Sequence, residues 1–398
     1  MTLLVKWGDL FGAERMVDVD HAHLSCHFPT EAVQAFSEGT EKFRTTTTLH
    51  PVFNPKYWRE NLDVVLKELG GGYGTVDEKV FTNRMRILQK MNVLPTYTCR
   101  PYTIGFIPKP GDVLCLTGSS GAILSNSFFG ARAARDSVST SFASAVTGRT
   151  PLMGLLKKEN RYAEIVVKID KSVIPEYFTE ADYGALGYYI GGVAGPRNVA
   201  IDGLPNHFTL ENALMLVSPM PVSGACIMCH VVGATPEAHT LDEAIGDNKP
   251  ETILITKNEI RESYELLNTA KPSDLDMVVI GCPHLTINEV DALASLLEGK
   301  KVSPDVTLSV GISRPTYTLA KAAGYTDIIE KAGGIMVDSC MGVLNPFCFL
   351  EDGARIAVAT NSVRAAHYIQ RSSGGNTKTL YGDMQKCVNA AVTRKWEA

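Results

Sequence analysis

The sequence has no long apolar run and little net charge, and both absences exclude classes of protein. No stretch of the 398 residues approaches the roughly 18 consecutive apolar residues that cross a membrane. The net charge is only −5, which gives no electrostatic attraction for nucleic acid or an anionic membrane. Charge interrupts the N-terminal stretch MTLLVKWGDLFGAER too early for a secretory signal. We therefore expect a cytoplasmic protein, with no nucleic acid and no membrane as partner.

Several motifs of common binding sites are also missing. The Gly/Ser-rich stretch 114–132, LCLTGSSGAILSNSFFGAR, has neither the form of a P-loop nor the G-x-G-x-x-G of a dinucleotide site. Cys226 and Cys229 form a C-x-x-C, but no second pair completes a zinc site. We interpret this pair as packing residues, and we extend that interpretation to Cys26, Cys115, Cys348 and Cys387.

Apolar runs alternate with helical patterns, most regularly from about residue 213 onward. The patterns predict strands at 163–169, 213–219, 225–233, 277–280, 306–312, 333–341 and 354–362, helices at 58–70, 79–93, 286–299 and 315–324, and a strand followed by a helix over 250–268. Such alternation is typical of a parallel, doubly wound α/β architecture. We divide the chain into two expected lobes, 1–200 and 201–398, with the glycine-rich segment 187–205 as the junction.

Three of the nine cysteines share a pattern, because each stands where an apolar or β-prone run ends. Cys99 follows LPTYT, Cys282 follows VVIG and Cys340 follows IMVDS. Three thiolates that converge on one sheet edge are suited to hold an iron–sulfur cluster with one open iron position. Two alternatives remain open: the three are buried packing residues, or Cys282 is a nucleophile beside His284.

Small polar loops follow several of the predicted strands. In the stretch 114–132 a Gly/Ser turn enters a helical pattern, where backbone N–H groups favour an anion and Arg132 is suited to clamp a carboxylate. Similar loops follow two later strands, with Ser313 and Arg314 in one and the stretch NSVR (361–364) in the other. These loops indicate an anionic substrate, although any single one is compatible with an ordinary turn.

A histidine-rich stretch lies near the N-terminus. The sequence HAHLSCH (21–27) places His21, His23 and His27 close together. The three histidines are candidate site residues, and the alternative interpretation is a solvated turn.

Seven motifs, in their order and spacing, resemble the large catalytic subunit of the aconitase X family. The resemblance extends from about residue 20 to residue 390. The motifs are PTYTCRPY (95–102), NSFFGAR (126–132), TGRTP (147–151), HVVGATPEA (230–238), GCPH (281–284), IMVDSCM (335–341) and TNSVRAAHY (360–368).

The resemblance implies a fold, a cofactor, a reaction and a partner. The expected fold is aconitase-like, with α/β/α lobes and without the small swivel domain, whose Gly/Ser-rich loop we do not find. The expected cofactor is a [4Fe–4S] or [2Fe–2S] cluster on Cys99, Cys282 and Cys340. The expected reaction is the dehydration of a small hydroxy acid, with a serine base supplied by a separate small subunit. The expected assembly is therefore a heterodimer or a higher oligomer.

The resemblance also implies site residues, and several of them depart from the family pattern. The implied catalytic residues are Ser119, Arg364 and His27. The implied substrate-binding residues are Cys26, His27, Phe28, His50, Pro51, Gly118, Ser119, Asn126, Arg132, Ser313 and Arg314.

Four positions carry the departures. The stretch 25–28 reads SCHF where the phosphomevalonate branch resembles S-G-V-S, and asparagine is usual at the position of His50. An acidic residue is usual at Gly118 and a lysine at Arg364. The family acts on cis-3-hydroxy-L-proline or mevalonate 5-phosphate, and loss of the acid argues against an amine substrate. The substrate is therefore left open, and the alternative function is a non-catalytic Fe–S-binding or regulatory subunit.

Overall fold

The computed structural model describes residues 1–25, 33–34, 38, 42–51, 78–173, 175–271, 275–338 and 356–397. The chain forms two compact units. The first takes in Met1–His50, Thr82–Phe178 and Leu186–Ile260, and the second takes in Pro51–Phe81, Thr179–Ala185 and Arg261–Ala398. The main crossing between the units is thus at Ile260–Arg261, whereas the predicted lobes divided the chain near residue 200.

The described strands are short and mostly buried. They are β1 Met16–Asp18, β2 His21–Leu24, β3 Thr46–Leu49, β4 Val113–Leu116, β5 Arg132–Ala133, β6 Arg149–Pro151, β7 Ile165–Ile169, β8 Val199–Asp202, β9 Cys229–Val231, β10 Glu251–Ile255, β11 Met277–Leu285, β12 Thr307–Ile312, β13 Gly334–Val337, β14 Ile356–Thr360 and β15 Thr377–Tyr381.

Helices connect most of these strands. The described helices are α1 Thr2–Leu10, α2 Glu78–Lys90, α3 Ser119–Ser127, α4 Val138–Thr147, α5 Glu180–Ala194, α6 Leu210–Val217, α7 Met220–Ser223, α8 Leu241–Ile245, α9 Lys257–Leu267, α10 Ile287–Leu297, α11 Arg314–Ala322, α12 Tyr325–Ala332, α13 Val363–Ser372 and α14 Met384–Thr393. None of the helices in the described part of the chain combines the length and apolar character needed to cross a membrane.

The first unit contains two four-stranded parallel sheets. One has the order β3-β2-β4-β5 and the other the order β10-β7-β8-β9. A short antiparallel pair, β1 with β6, adds a third small sheet. In both four-stranded sheets the carboxyl ends of neighbouring strands meet at one edge, which is where open α/β sheets hold their ligands.

The second unit is built on one five-stranded parallel sheet with the order β13-β12-β11-β14-β15. Its central strand β11 is buried over Met277–Ile280, as expected for a parallel strand covered on both faces. Gly281 lies within that strand with φ +98°, where the register against β12 shifts between Ile280 and Leu285, and a Cβ there would lie 2.3 Å from the carbonyl oxygen of Gly311. Only glycine fits this close approach, and Cys282 follows it at this irregularity inside β11 rather than at the end of the strand.

The parallel α/β architecture predicted from the alternation of elements is confirmed. The helix predicted at 286–299 is present as α10, which begins with a capping box in which the Thr286 hydroxyl accepts from the Glu289 N–H at 3.2 Å. The strand predicted at 213–219 is wrong, because α6 occupies this apolar run as far as Val217. A short buried helix and a buried strand have the same apolar composition. Here the Thr209 side chain accepts from the Asn212 N–H and caps the start of a helix. The helix predicted at 58–70 lies outside the described residues.

The glycine-rich segment 187–205 is not a junction between the units, because it lies within the first one. Gly187 and Gly191 belong to α5. A Cβ at Gly187 would come within 1.8 Å of the Leu216 carbonyl oxygen, and one at Gly191 within 2.5 Å of the Met220 Cα. These glycines therefore serve close helix packing.

Candidate functional site

The carboxyl edge of the first sheet brings together several residues predicted for the site. His50 follows β3, and Gly118 and Ser119 follow β4. The segment before Cys99 runs beside β3, with the Leu94 N–H donating to the Thr47 carbonyl at 2.8 Å and the Thr98 N–H to the Leu49 carbonyl at 3.1 Å. Cys99 therefore emerges at this same edge.

His21 and His23 lie on β2 and are buried, so the interpretation of their stretch as a solvated turn is wrong. The Thr48 hydroxyl contacts His21 Nε2 at 2.8 Å and His23 Nδ1 at 2.7 Å. Burial lowers the pKa of His21 to about 4, and it lowers that of His23 well below its usual value. The positive charges of His50 and His21 act on the His23 pKa in the same direction, and the Thr98 backbone opposes them.

His50 lies between His23 and Gly118. The rings of His23 and His50 meet edge to face with their centroids 5.6 Å apart. A Cβ at Gly118 would lie 3.3 Å from Cδ2 and 3.4 Å from Nε2 of His50. Two positions at which the sequence departs from the family are thus in direct contact. Pro51, which follows His50, is buried.

The structure does not bring Asn126 and Arg132 to this edge. The buried Asn126 amide donates to the carbonyls of Ala133 and Ile227, both at 3.0 Å, and its oxygen accepts from the Ala133 N–H at 2.8 Å. Arg132 pairs in register with Val113 at the start of β4 and donates to the Leu156 carbonyl at 3.2 Å. These contacts indicate structural roles and do not support direct substrate binding.

Arg161 is a buried hub that the sequence analysis missed. Its guanidinium donates to Glu237 at 2.6, 2.8 and 3.0 Å, to the Asn126 carbonyl at 2.9 Å and to the Leu155 carbonyl at 2.9 Å. A single arginine before the strand β7 belongs to no sequence pattern that would mark it as buried or ion-paired. Its partner Glu237 lies in the motif HVVGATPEA, and this motif was the only sequence feature that pointed to the pair.

The carboxyl edge of the sheet in the second unit collects the remaining predicted residues that the structure describes. The Ser362 hydroxyl donates to the Cys282 carbonyl and also accepts from the Ala365 N–H at 3.1 Å, which caps α13. It thereby fixes the backbone of Cys282. The Arg364 guanidinium lies over the Tyr368 ring, 5.4 Å from its centroid.

Ser313 and Arg314 follow β12 at the same edge. The buried Ser313 caps α11 and contacts the Thr316 hydroxyl at 2.8 Å. Arg314 forms an ion pair with Asp338, which follows β13 and precedes the predicted ligand Cys340 by two residues. Cys26, His27, Phe28, Cys340 and Cys348 lie outside the described residues, so their predicted roles stay predictions.

The six described cysteines fall into two groups. Cys99 and Cys282, at the two sheet edges, are partly exposed. The other four are fully buried and serve packing, as predicted; they are Cys115, Cys226, Cys229 and Cys387. Burial raises the pKa of all four thiols, to about 11 for Cys226 and about 12 for Cys229.

Within the described ranges, no group of three or more His, Cys, Asp or Glu side chains is placed to hold a metal ion. Only two of the three predicted ligands are in those ranges. Of the histidines near the N-terminus, His21 and His23 share the Thr48 hydroxyl, and His27 lies outside those ranges.

Comparison with known proteins identifies the chain. Family models for the first, second and third domains of aconitase X match residues 1–159, 163–265 and 275–393. The chain belongs to the aconitase X family. A crystal structure of Thermococcus kodakaraensis aconitase X in its holo-form superposes with a TM-score of 0.80 at 31% identity, covering 98% of this chain and 94% of that one.

Curated relatives in this family are dehydratases. The phosphomevalonate dehydratase large subunit of Methanocaldococcus jannaschii is 33% identical over 97% of this chain and 93% of its own length. The cis-3-hydroxy-L-proline dehydratase of Hypocrea jecorina is 30% identical over 98% of this chain but only 65% of its own length. The aconitase X chain described here is thus a hydro-lyase with the aconitase X fold, and no swivel domain is evident among the residues that the structure describes.

Proposed function

We propose that this chain holds an iron–sulfur cluster on Cys99, Cys282 and Cys340 and dehydrates a small hydroxy acid. The observation that carries the proposal is the contrast among the described cysteines. Cys99 and Cys282 are partly exposed at carboxyl edges of parallel sheets, whereas the other four are fully buried. Thiolates in such positions are suitable ligands for either a [4Fe–4S] or a [2Fe–2S] cluster. When bound, such a cluster supplies a Lewis-acidic iron.

The residues around the two cysteines would bind and orient the substrate. The N–H groups of the first turn of α3 follow Gly118 with no side-chain cap and no acidic residue among them, which favours a bound carboxylate. Ser119 adds a hydroxyl at the same point. Arg364 and Arg314 supply positive charge at the edge of the second sheet. In this proposal Ser119, Arg364 and His27 touch the reacting groups.

The base that removes the proton is proposed to come from a separate small subunit. The relative from Methanocaldococcus jannaschii is named a large subunit, which implies a smaller partner for that protein. The Hypocrea jecorina enzyme extends well beyond the region that matches this chain. We propose that the counterpart of this extra region is the partner of this chain, in a heterodimer or a higher assembly.

Anaerobic purification with cysteine variants tests the cluster. We expect wild-type protein to be brown and to contain iron and sulfide, and Cys99→Ser and Cys282→Ser to lose most of both. Cys226→Ala is the matched control, because this cysteine is fully buried and packs in the first unit, and it should keep the cluster. A colourless, iron-free wild-type protein that resists reconstitution would rule out the proposal.

A further inference from the structure

We infer that Asn361 accepts a hydrogen bond from the hydroxyl group that leaves the substrate. This inference rests on the proposed function, because it assigns one more contact to the hydroxy acid that this chain would dehydrate. It adds to the site a residue that the resemblance did not include among those implied for it.

The side-chain oxygen of Asn361 is buried and has no partner in the part of the chain that the structure describes. The residue is 5% exposed, and its Oδ1 accepts no hydrogen bond. The other two asparagines that are buried in the described ranges have hydrogen-bonded amides. Asn126 is held by three main-chain contacts, and the Asn198 amide donates to the carbonyls of Asn160 and Tyr162 at 2.8 and 3.2 Å. An unpaired buried carbonyl destabilises the folded chain, and a donor supplied by a ligand would remove this cost.

The backbone on both sides of Asn361 is held in place. Thr360 ends β14 and pairs in register with β11 on one side and β15 on the other. Ser362 donates its hydroxyl to the Cys282 carbonyl on β11. Asn361 therefore stands at the carboxyl edge of the second sheet, beside the strand that carries Cys282, and an irregular loop does not explain its unpaired oxygen.

The unpaired oxygen requires a donor, and the hydroxyl is the donor that a hydroxy acid offers. A carboxylate has only acceptor oxygens, and Arg364 in the same loop supplies positive charge for such a group. A hydroxyl bound to a Lewis-acidic metal becomes more acidic and thereby a stronger donor. The Asn361 carbonyl is neutral and is not a base, so it would orient this hydroxyl without removing its proton.

Isothermal titration calorimetry of the full chain, purified anaerobically, tests the inference without turnover. The probes are cis-3-hydroxy-L-proline with L-proline, and mevalonate 5-phosphate with its 3-deoxy analogue, so that each pair differs by one hydroxyl. We expect wild-type protein to bind at least one hydroxy acid about tenfold more tightly than its deoxy partner, as for one hydrogen bond to a buried group. Asn361→Leu has a similar volume and no acceptor, and it should bring this ratio to about one while the deoxy partner keeps its affinity within about twofold.

Urea unfolding without ligand separates a binding role from a structural one. Asn361→Leu should keep or raise the unfolding midpoint, because it removes an unpaired buried acceptor. Asn268→Leu is the matched control in the same unit, since the Asn268 amide donates to the Tyr264 carbonyl and accepts from the Tyr381 N–H, both at 2.8 Å. The control should lower the midpoint and leave the hydroxyl ratio unchanged.

Three results would overturn the inference. The first is a wild-type protein that distinguishes neither hydroxy acid from its deoxy partner. The second is an Asn361→Leu variant that keeps the wild-type ratio, which would mean that a trapped water satisfies the amide. The third is a midpoint that falls as far in Asn361→Leu as in Asn268→Leu, which would make the residue structural.

The cluster and the role of Asn361 fail separately in this experiment. An iron-free chain whose hydroxyl ratio still depends on Asn361 contradicts only the cluster. A cluster-loaded chain whose ratio does not depend on Asn361 contradicts only the role of this residue.

Discussion

At the scale of single residues, the buried ion pair of Arg161 and Glu237 is a main electrostatic contact in the interior of the first unit. The Arg161 side chain is 2% exposed and that of Glu237 is 28% exposed. The same guanidinium holds the main chain of Asn126 near the end of α3, and Gly118 and Ser119 lie at the start of that helix. The pair therefore links the interior of the first unit to the predicted site.

Glu237→Gln should lower the free energy of unfolding by about 3 kcal/mol, because it leaves a buried guanidinium without its countercharge. The matched control is Glu251→Gln, which breaks the exposed pair with Arg197 and should cost less than about 1 kcal/mol. Urea denaturation of both variants measures the difference. Equal losses in the two variants would show that burial of Arg161 has no energetic consequence.

A buried carboxyl, Asp136, gives a second prediction at this scale. Burial raises its pKa to about 7, although hydrogen bonds with Thr140, Cys115 and the Leu116 backbone oppose the shift. The folded protein therefore binds a proton between pH ~4 and ~7 that the unfolded chain has released, and stability falls as pH rises through this window. Asp136→Asn removes this loss, because the amide stays neutral.

We expect the advantage of Asp136→Asn over wild type to be larger at pH 7.5 than at pH 5, by about 2–3 kcal/mol. Urea unfolding at the two pH values measures it. His21 and His367, whose pKa values burial lowers to about 4, favour folding as pH rises, but they do so in both proteins. An advantage that is the same at both pH values would contradict the raised pKa of Asp136.

The sequence predicted residues that follow strands better than residues that depend on distant partners. Gly118 and Ser313 follow β4 and β12, because the end of an apolar run is visible in the sequence itself. Cys282 lies inside β11, which continues to Leu285, and Cys99 follows a segment that only runs beside β3. Asn126 and Glu237, two of the partners of Arg161, lie 35 and 76 residues away along the chain, and no local pattern indicates such contacts.

At the scale of elements, the close packing of α5 on α6 and α7 depends on glycine. Gly187→Ala should destabilise the protein by more than about 3 kcal/mol or prevent folding, because its Cβ would overlap the Leu216 carbonyl oxygen. Gly192→Ala is the matched control in the same helix, since its Cβ meets no atom within 4 Å. It should stabilise the protein by about 0.5–1 kcal/mol. Thermal unfolding distinguishes them, and a tolerated Gly187→Ala would argue against this packing.

The helices and strands that the sequence predicted correctly are those whose ends are marked by capping residues or by a change of pattern. The capping box at Thr286 marked α10, and the strand and helix over 250–268 became β10 and α9. The run at 213–219 failed because all five residues Ala213–Val217 of α6 are buried, so no amphipathic period remained to distinguish helix from strand.

At the scale of the whole molecule, the resemblance to a family predicted the fold and the reaction class, which composition alone did not. The ordered motifs identified aconitase X, and the models of its three domains confirm it along the chain. The division into units could not be read from the sequence, because the chain crosses between them several times, as at Thr179–Ala185. Such crossings leave no composition change at a boundary.

The proposed small subunit gives a prediction at this scale. We expect the chain alone to be inactive and the co-expressed pair to elute together and to turn over a hydroxy acid, because the proposed base lies on the partner. Size-exclusion chromatography and an assay of each fraction check this. Activity of the chain alone would contradict the division of the active site between two proteins.

The contact between His50 and Gly118 also restricts the order in which the pair arises in evolution. With a side chain at residue 118, the imidazole of a histidine at residue 50 has to shift by a few tenths of an ångström. With glycine at residue 118, no such shift is needed. Ancestral sequences along this branch should therefore more often acquire the histidine after the glycine than before it.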